Sequence, residues 1–222
     1  MIIDLRTYTY LPAKYRTFLK GYEEIGFGLT SKHLGTTLGV FRPESGVQNR
    51  TFQFFMYRDS PHRDFCRQGM LADPAWADFV KIDSDALLQQ MNTLLVPTDF
   101  SPLRGIEDAG PLSAEAPSRL FELRTWTLQP SRSDDALTLS RDEVAPALAV
   151  HETGVVGWFT ADTGEDHRLI RLTVYTDASA RDAARANLRA DSDASTALSS
   201  LRALATAEEA QLLLPLPYSP LR

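Results

Sequence analysis

The sequence predicts an α+β protein built from two tandem copies of one small domain. The first observation is repetition: Leu5-Arg6-Thr7-Tyr8-Thr9 returns as Leu123-Arg124-Thr125-Trp126-Thr127, and Phe100-Ser101-Pro102-Leu103-Arg104 returns as Tyr218-Ser219-Pro220-Leu221-Arg222. Both pairs are 118 residues apart, so the copies align without a net gap. His33 with His151, Gly39 with Gly157, Phe41 with Phe159, Tyr57 with Tyr175 and Asp73 with Asp191 keep the same register. A period this long is a duplicated domain, far longer than a solenoid unit. The second observation is length: 222 residues suit two domains of about 100, each with a modest core. The third is the order of periodicities in each copy, which reads strand, helix, two strands, helices, strand.

Each element has a local reason. Ile2 to Tyr10 is rich in Ile, Thr and Tyr and closes before Pro12, as a strand does. Tyr15, Phe18, Leu19, Tyr22, Ile25 or Gly26, and Leu29 form one apolar stripe at helical spacing, predicting a helix from about residue 13 to about residue 33, with Gly35 as its stop. Leu38 to Arg42 and Arg50 to Arg58 read as a hairpin turning through Pro43, Ser45 and Gly46. Asp59-Ser60-Pro61 and Asp73-Pro74 each set a capping side chain before a proline suited to a first helical turn, so two helices start there. Thr93 to Pro97 is the last strand. In the second copy Ser133-Asp134-Asp135 opens a helix that Pro146 is expected to kink, and the alanine-rich stretch from Ala180 to Leu213 is read as helical. The expected domains are therefore 1–104 and 118–222, with a Gly- and Pro-bearing linker at 105–117.

Composition narrows the function classes. With 29 acidic against 23 basic side chains the net charge is −6, which argues against nucleic acid or anionic lipid as a partner. Cys66 is the sole cysteine and faces Ala184 in the second copy, so neither a disulfide framework nor a shared thiol chemistry is expected. Met1 to Arg6 lacks the apolar core of a signal peptide and no window resembles a membrane span, so a cytoplasmic location is expected. The histidines are scattered and no ligand-spaced cluster occurs, so no metal is expected. Glycine-rich phosphate loops and the Gly-x-Ser-x-Gly elbow are also missing, so no nucleotide cofactor is expected.

Strand alternation points to a site. Phe52, Phe54 and Met56 correspond to Ile170, Leu172 and Val174, an apolar face expected to lie against the helices. The other face gathers Asp4, Arg6 and Tyr8 with Gln53 and Tyr57 in one copy, and Glu122, Arg124 and Trp126 with Arg171 and Tyr175 in the other. If two such faces meet, they enclose a small-molecule cavity between the sheets. Arg6, Tyr8, Gln53, Arg124, Trp126 and Arg171 are then its ligand-binding residues. His33, Tyr57, His151 and Tyr175 are its candidate proton carriers. The alternative is structural: pairing of the arginines with Asp4 and Glu122, or histidines capping helix ends.

Leu-Arg-Thr-Tyr-Thr near the start, His33-Leu34-Gly35, Gly39-Val40-Phe41, Gly46 with Asn49, Tyr57, Asp73-Pro74-Ala75-Trp76 and Phe100-Ser101-Pro102-Leu103 together resemble the NIPSNAP family. The resemblance covers the first copy almost completely and the second in part. It implies ferredoxin-like domains paired through their sheets as a dimeric α/β barrel, here within one chain. Relatives with this barrel include cofactor-independent oxygenases and isomerases, so an enzyme acting on a small organic anion and a non-catalytic binding or interaction module both stay open, as does self-association. Two departures matter: a histidine common on the third strand is replaced by Gln53 and Arg171, and the second copy has Asp191-Ser192-Asp193-Ala194 in place of the Asp-Pro-x-Trp element.

Overall fold

The computed structural model describes residues 1–103 and 119–222, apart from the side chains at 82 and 83. The linker expected at 105–117 lies outside them. The first copy runs β1 (Ile2–Tyr10), α1 (Tyr15–Gly21), a π-helical turn (Tyr22–Gly26), α2 (Phe27–His33), β2 (Thr36–Pro43), β3 (Arg50–Tyr57), α3 (Ser60–Ala72), α4 (Pro74–Ser84) and β4 (Leu87–Pro97). The second repeats it as β5 (Leu120–Leu128), α5 (Ser133–Leu139), a π-helical turn (Ser140–Val144), α6 (Ala145–Ala149), β6 (Val155–Ala161), β7 (Arg168–Tyr175), α7 (Ala178–Ala190), α8 (Ser192–Ala203) and β8 (Ala205–Pro215).

Within each copy the strand order is the ferredoxin-like β4-β1-β3-β2 or β8-β5-β7-β6, all antiparallel. The two sheets face each other and also join at their edges. Phe41 pairs with Pro215 where β2 meets β8, and Leu95 pairs with Ala161 where β4 meets β6. One closed eight-stranded barrel results.

Three local expectations change. The first helix does not run uninterrupted: Phe18, Tyr22, Gly26 and Thr30 are its buried positions. A spacing of four residues throughout would drift around an α-helix of 3.6 residues per turn, and the wider π-turn takes up that drift. The same turn occurs in the second copy with Pro146 just after it, and since the first copy has the turn with Gly28 at the equivalent position, the proline is not its cause. Ala205 to Ala210 is strand, not helix. It pairs with β5 from Leu128↔Ala205 to Phe121↔Leu213, so tertiary pairing overrides the alanine preference.

Which face meets the helices is the main correction. Ile3, Leu5, Phe41, Phe52 and Phe54 fill the barrel interior together with Phe121, Leu123, Ile170, Leu172 and Leu213 of the other copy. An eight-stranded barrel is just wide enough for side chains to fill, and apolar side chains of both copies fill it here. The face bearing Arg6, Tyr8, Gln53 and Tyr57 is outside the barrel, under the helices, as is its counterpart with Arg124, Trp126, Arg171 and Tyr175. The Gly-x-Phe repeats serve the interior. A Cβ on Gly39 would lie 2.4 Å from the Phe41 ring, and one on Gly157 2.4 Å from the Phe159 ring, so only glycine lets each ring fold back over its own strand.

The repeated tail motif is a reciprocal clasp. The buried Val40 N–H donates to Ser219 Oγ at 2.9 Å and Leu221 N–H donates to Leu38 O at 3.0 Å. In the mirror arrangement Trp158 N–H donates to Ser101 Oγ at 2.9 Å, and Phe100 packs on Trp158. Each tail thus satisfies strand donors of the other copy. Ser219→Ala is expected to destabilise the fold by about 1–3 kcal/mol, because a buried donor loses its acceptor. Chemical denaturation measures it, and an unchanged midpoint would remove the clasp from the account.

Candidate functional site

The outer face of each half-barrel holds a cavity between sheet and helices. That of the first copy, about 200 Å³, reaches from Arg6 and Tyr8 on β1 and Gln53 on β3 to Tyr22 in the π-turn, Arg67 on α3, and Trp76 and Phe79 on α4. A cavity of roughly 150 Å³ takes a benzene-sized molecule, so this volume has room for a ligand of about one ring. Its walls are aromatic. Tyr10 stacks on Phe18, Phe79 lies edge-on to Tyr22, and Trp76 packs on Phe79. A Cβ at Gly26 would lie 2.6 Å from the Phe79 ring, so the π-turn glycine makes room for that wall. Tyr218, from the tail of the second copy, packs on Tyr22 and Phe27 and supports the wall from behind.

The polar groups of this cavity have a definite arrangement. Thr30 Oγ1 is 2.9 Å from the Tyr22 hydroxyl, which also donates to Gln53 Oε1 at 3.3 Å. Arg6 is 3% exposed. Its Nε donates to Asp4 Oδ2 at 3.0 Å, and its guanidinium lies 5.0 Å over the Phe55 ring. Burial works against this charge, and Tyr8, Asp4 and Tyr57 outweigh burial, so the guanidinium stays ionised. Arg6 Nη2 is nonetheless buried without a hydrogen-bond partner among the described residues. Arg67 makes no hydrogen bond or ion pair among them either, and no carboxylate lines the cavity.

The second cavity, about 140 Å³, occupies the equivalent place, lined by Arg124, Arg171, Glu152 and Glu208 with residues of α7 and α8. Arg124 Nε donates to Glu122 Oε1 at 2.8 Å and Nη1 pairs with Glu208. Arg171 Nη1 lies 2.7 Å from Glu152 Oε2, and its guanidinium is over both Trp126 and Trp158. Trp126 is fully buried against Trp158 and does not line the cavity.

The structure therefore divides the residues expected to share one site. Arg6, Tyr8 and Gln53 line one cavity, and Arg124 and Arg171 line another. The four expected proton carriers line neither. His33 Nε2 is 2.8 Å from Asp73 Oδ2, and His151 Nε2 is 2.8 Å from Asp191 Oδ2. Each histidine thus ties the end of the first helical run, or the turn after it, to the carboxylate that caps the last helix. Lys32, His33 and the Ala75 N–H hold the Asp73 carboxyl well below the usual range. Burial pushes the Tyr57 hydroxyl up to about 12, against the pull of Arg6, and burial with Glu152 raises Tyr175 further. At neutral pH both are protonated, and the Tyr57 hydroxyl is buried without a hydrogen-bond partner among the described residues. Tyr175 donates to Glu152 Oε1 at 2.7 Å. The pairing of arginine with the nearby carboxylate, expected of a structural role, is present in both copies, and Arg63 and Arg181 join it from α3 and α7.

Tyr22, Thr30, Arg67 and Phe79 were not expected at the site from the sequence. The helical stripe placed Tyr22 on a buried face, and the Asp-Pro-x-Trp element marked Trp76, but strand alternation says nothing of which helix lies over a given face. Among the described residues no cluster of metal-ligating side chains occurs, and no helix is long and apolar enough to cross a membrane.

Two ferredoxin-like halves closing one barrel, each with a cavity under its helices, define a tandem dimeric α/β barrel protein. A solved anthrone oxidase-like protein shares this fold at 15% identity, covering 97% of this chain and 91% of its own, with a TM-score of 0.60. The chain belongs to the NIPSNAP family, whose profile matches residues 3–102 and again 121–220. Similar solved structures include an uncharacterized NIPSNAP domain protein from Burkholderia xenovorans, 31% identical over 46% of this chain and 99% of that one, TM-score 0.44. A NIPSNAP family protein from Agrobacterium tumefaciens is 26% identical over 47% of this chain and 91% of its own, TM-score 0.46. No match is found among curated proteins.

Proposed function

We propose that the first-copy cavity binds a small aromatic or enolic anion, and that its chemistry is stabilisation of an enolate, a step shared by isomerisation and cofactor-independent oxygenation. The observation that carries this reading is the buried, unpartnered Nη2 of Arg6 in an aromatic cavity without a lining carboxylate. An ionised guanidinium lowers the cost of negative charge on a ligand oxygen, and a preorganised donor does so without reorganisation. Tyr22 and Gln53 orient the ligand by hydrogen bonds, and Arg67 at the side of the cavity adds a second positive charge. Self-association and a cytoplasmic location are proposed alongside it, independently of the cavity.

Titration calorimetry with salicylate and benzoate tests it. Arg6→Ala is expected to weaken binding by about 1.5–3 kcal/mol, the worth of a charge-assisted hydrogen bond. Binding at full strength by Arg6→Ala, or none by the unaltered protein, would favour the alternative suggested by the Asp4 pairing, a non-catalytic interaction module in which Arg6 only balances the buried Asp4 that Arg63 of α3 also grips.

A further inference from the structure

The two cavities are built on equivalent positions, and their differences are chemically consistent. The aromatic wall of the first is absent from the second: Phe18, Tyr22, Trp76 and Phe79 become Ala136, Ser140, Ala194 and Ala197. In exchange Gln53, Leu71 and Ser84 become Arg171, Arg189 and Arg202. The lining of the second cavity then carries five arginines against two carboxylates, Glu152 and Glu208.

Those carboxylates do not exhaust the arginines, although Glu122, outside the lining, also lies 3.5 Å from Arg185 Nη1. Arg171 is 2% exposed, and its Nε and Nη1 make no directed hydrogen bond among the described residues, although Glu152 lies within ion-pair distance. Arg189 has no ion pair among them. Burial and the neighbouring Arg124 together lower the Arg185 pKa, a sign that positive charge is crowded here. Fork-shaped guanidinium donors match the oxygen pairs of carboxylate and phosphate.

We infer that the second-copy cavity is a separate binding site for a compact, doubly charged oxyanion, a short dicarboxylate or a phosphate group, recognised by Arg171, Arg185 and Arg189. Its volume of about 140 Å³ admits such an anion. This site does not depend on the ligand of the first cavity.

Inorganic phosphate and succinate are the probes, titrated into the full chain at low salt. The expected result is binding of one or both, weakened as salt is raised. Arg171→Gln and Arg189→Leu, which restore the first-copy residues, should each weaken it by roughly tenfold or more, the loss of a charge-assisted hydrogen bond, while Arg6→Ala leaves it unchanged. Tighter binding of phosphate than of succinate, or the reverse, identifies the source of the oxyanion. Arg189 is exposed, so Arg189→Leu keeps the test intact if Arg171→Gln does not fold. Failure of both probes to bind, binding unaffected by Arg189→Leu, or equal loss in Arg6→Ala would overturn the assignment.

Discussion

Asp4→Asn is expected to lower stability by about 3–5 kcal/mol, the cost of leaving a buried charge without its partner. Asp4 is fully buried and takes Arg6 Nε at 3.0 Å, Arg63 Nε at 2.8 Å and Asn92 Nδ2 at 3.2 Å. Without that charge Arg6 loses its counter-ion, and the ion pair that ties α3 to the sheet through Arg63 is lost. Glu122→Gln should cost less, because Arg124 keeps Glu208. Guanidinium denaturation measures both. A change for Asp4→Asn within the roughly 0.5 kcal/mol of an ordinary surface substitution would show that the arginines reach water. An anion that binds Arg6 should restore part of the loss, since a ligand of the folded state stabilises it by mass action.

The same network sets an acid limit. Burial raises the Glu122 pKa, Arg124 and Arg181 lower it, and the net effect is downward. Its contribution is then complete above the unfolded value near 4.5 and is lost as pH falls below that toward the folded value. Asp73 and Asp191, also lowered, act in the same direction. Stability should therefore fall with acidification below about pH 4.5 and not show this loss between pH 5 and 7.

Phe41→Ala is expected to cost about 3–5 kcal/mol while leaving ligand affinity in both outer cavities unchanged. The Phe41 ring is fully buried inside the barrel, 4.8 Å from Phe121 of the other copy and edge-on to Phe54. Truncation opens a hole where the copies meet, on the face opposite the cavities. Thermal unfolding and calorimetry on the one variant separate the effects. A stable variant that no longer binds would return the ligand space to the barrel interior.

Much of this was legible in the chain. The 118-residue register dictated two equivalent halves, and because backbone alternation is strictly local, the face membership of Ile3, Leu5, Phe52 and Phe54 against Asp4, Arg6, Tyr8 and Gln53 followed from sequence. So did the Asp59 and Asp73 caps, which depend on neighbours a few residues away. The π-turn was visible only as the ambiguity between Ile25 and Gly26 in the helical stripe.

Which face turned inward was not legible. Alternation labels two faces but does not name the layer that covers each. That is decided by long-range pairing, β2 with β8 and β4 with β6, which closes the barrel and commits the bulky apolar face to its interior. Once it closes, the arginine face has only the helices to meet, and one expected shared site becomes two cavities on opposite halves. The sequence by itself determined the duplication, the elements and the sidedness of each strand, because these rest on local chemistry. Only the tertiary structure decided where the cavities lie and which side chains share them, because burial of the arginines depends on contacts between residues far apart in the chain.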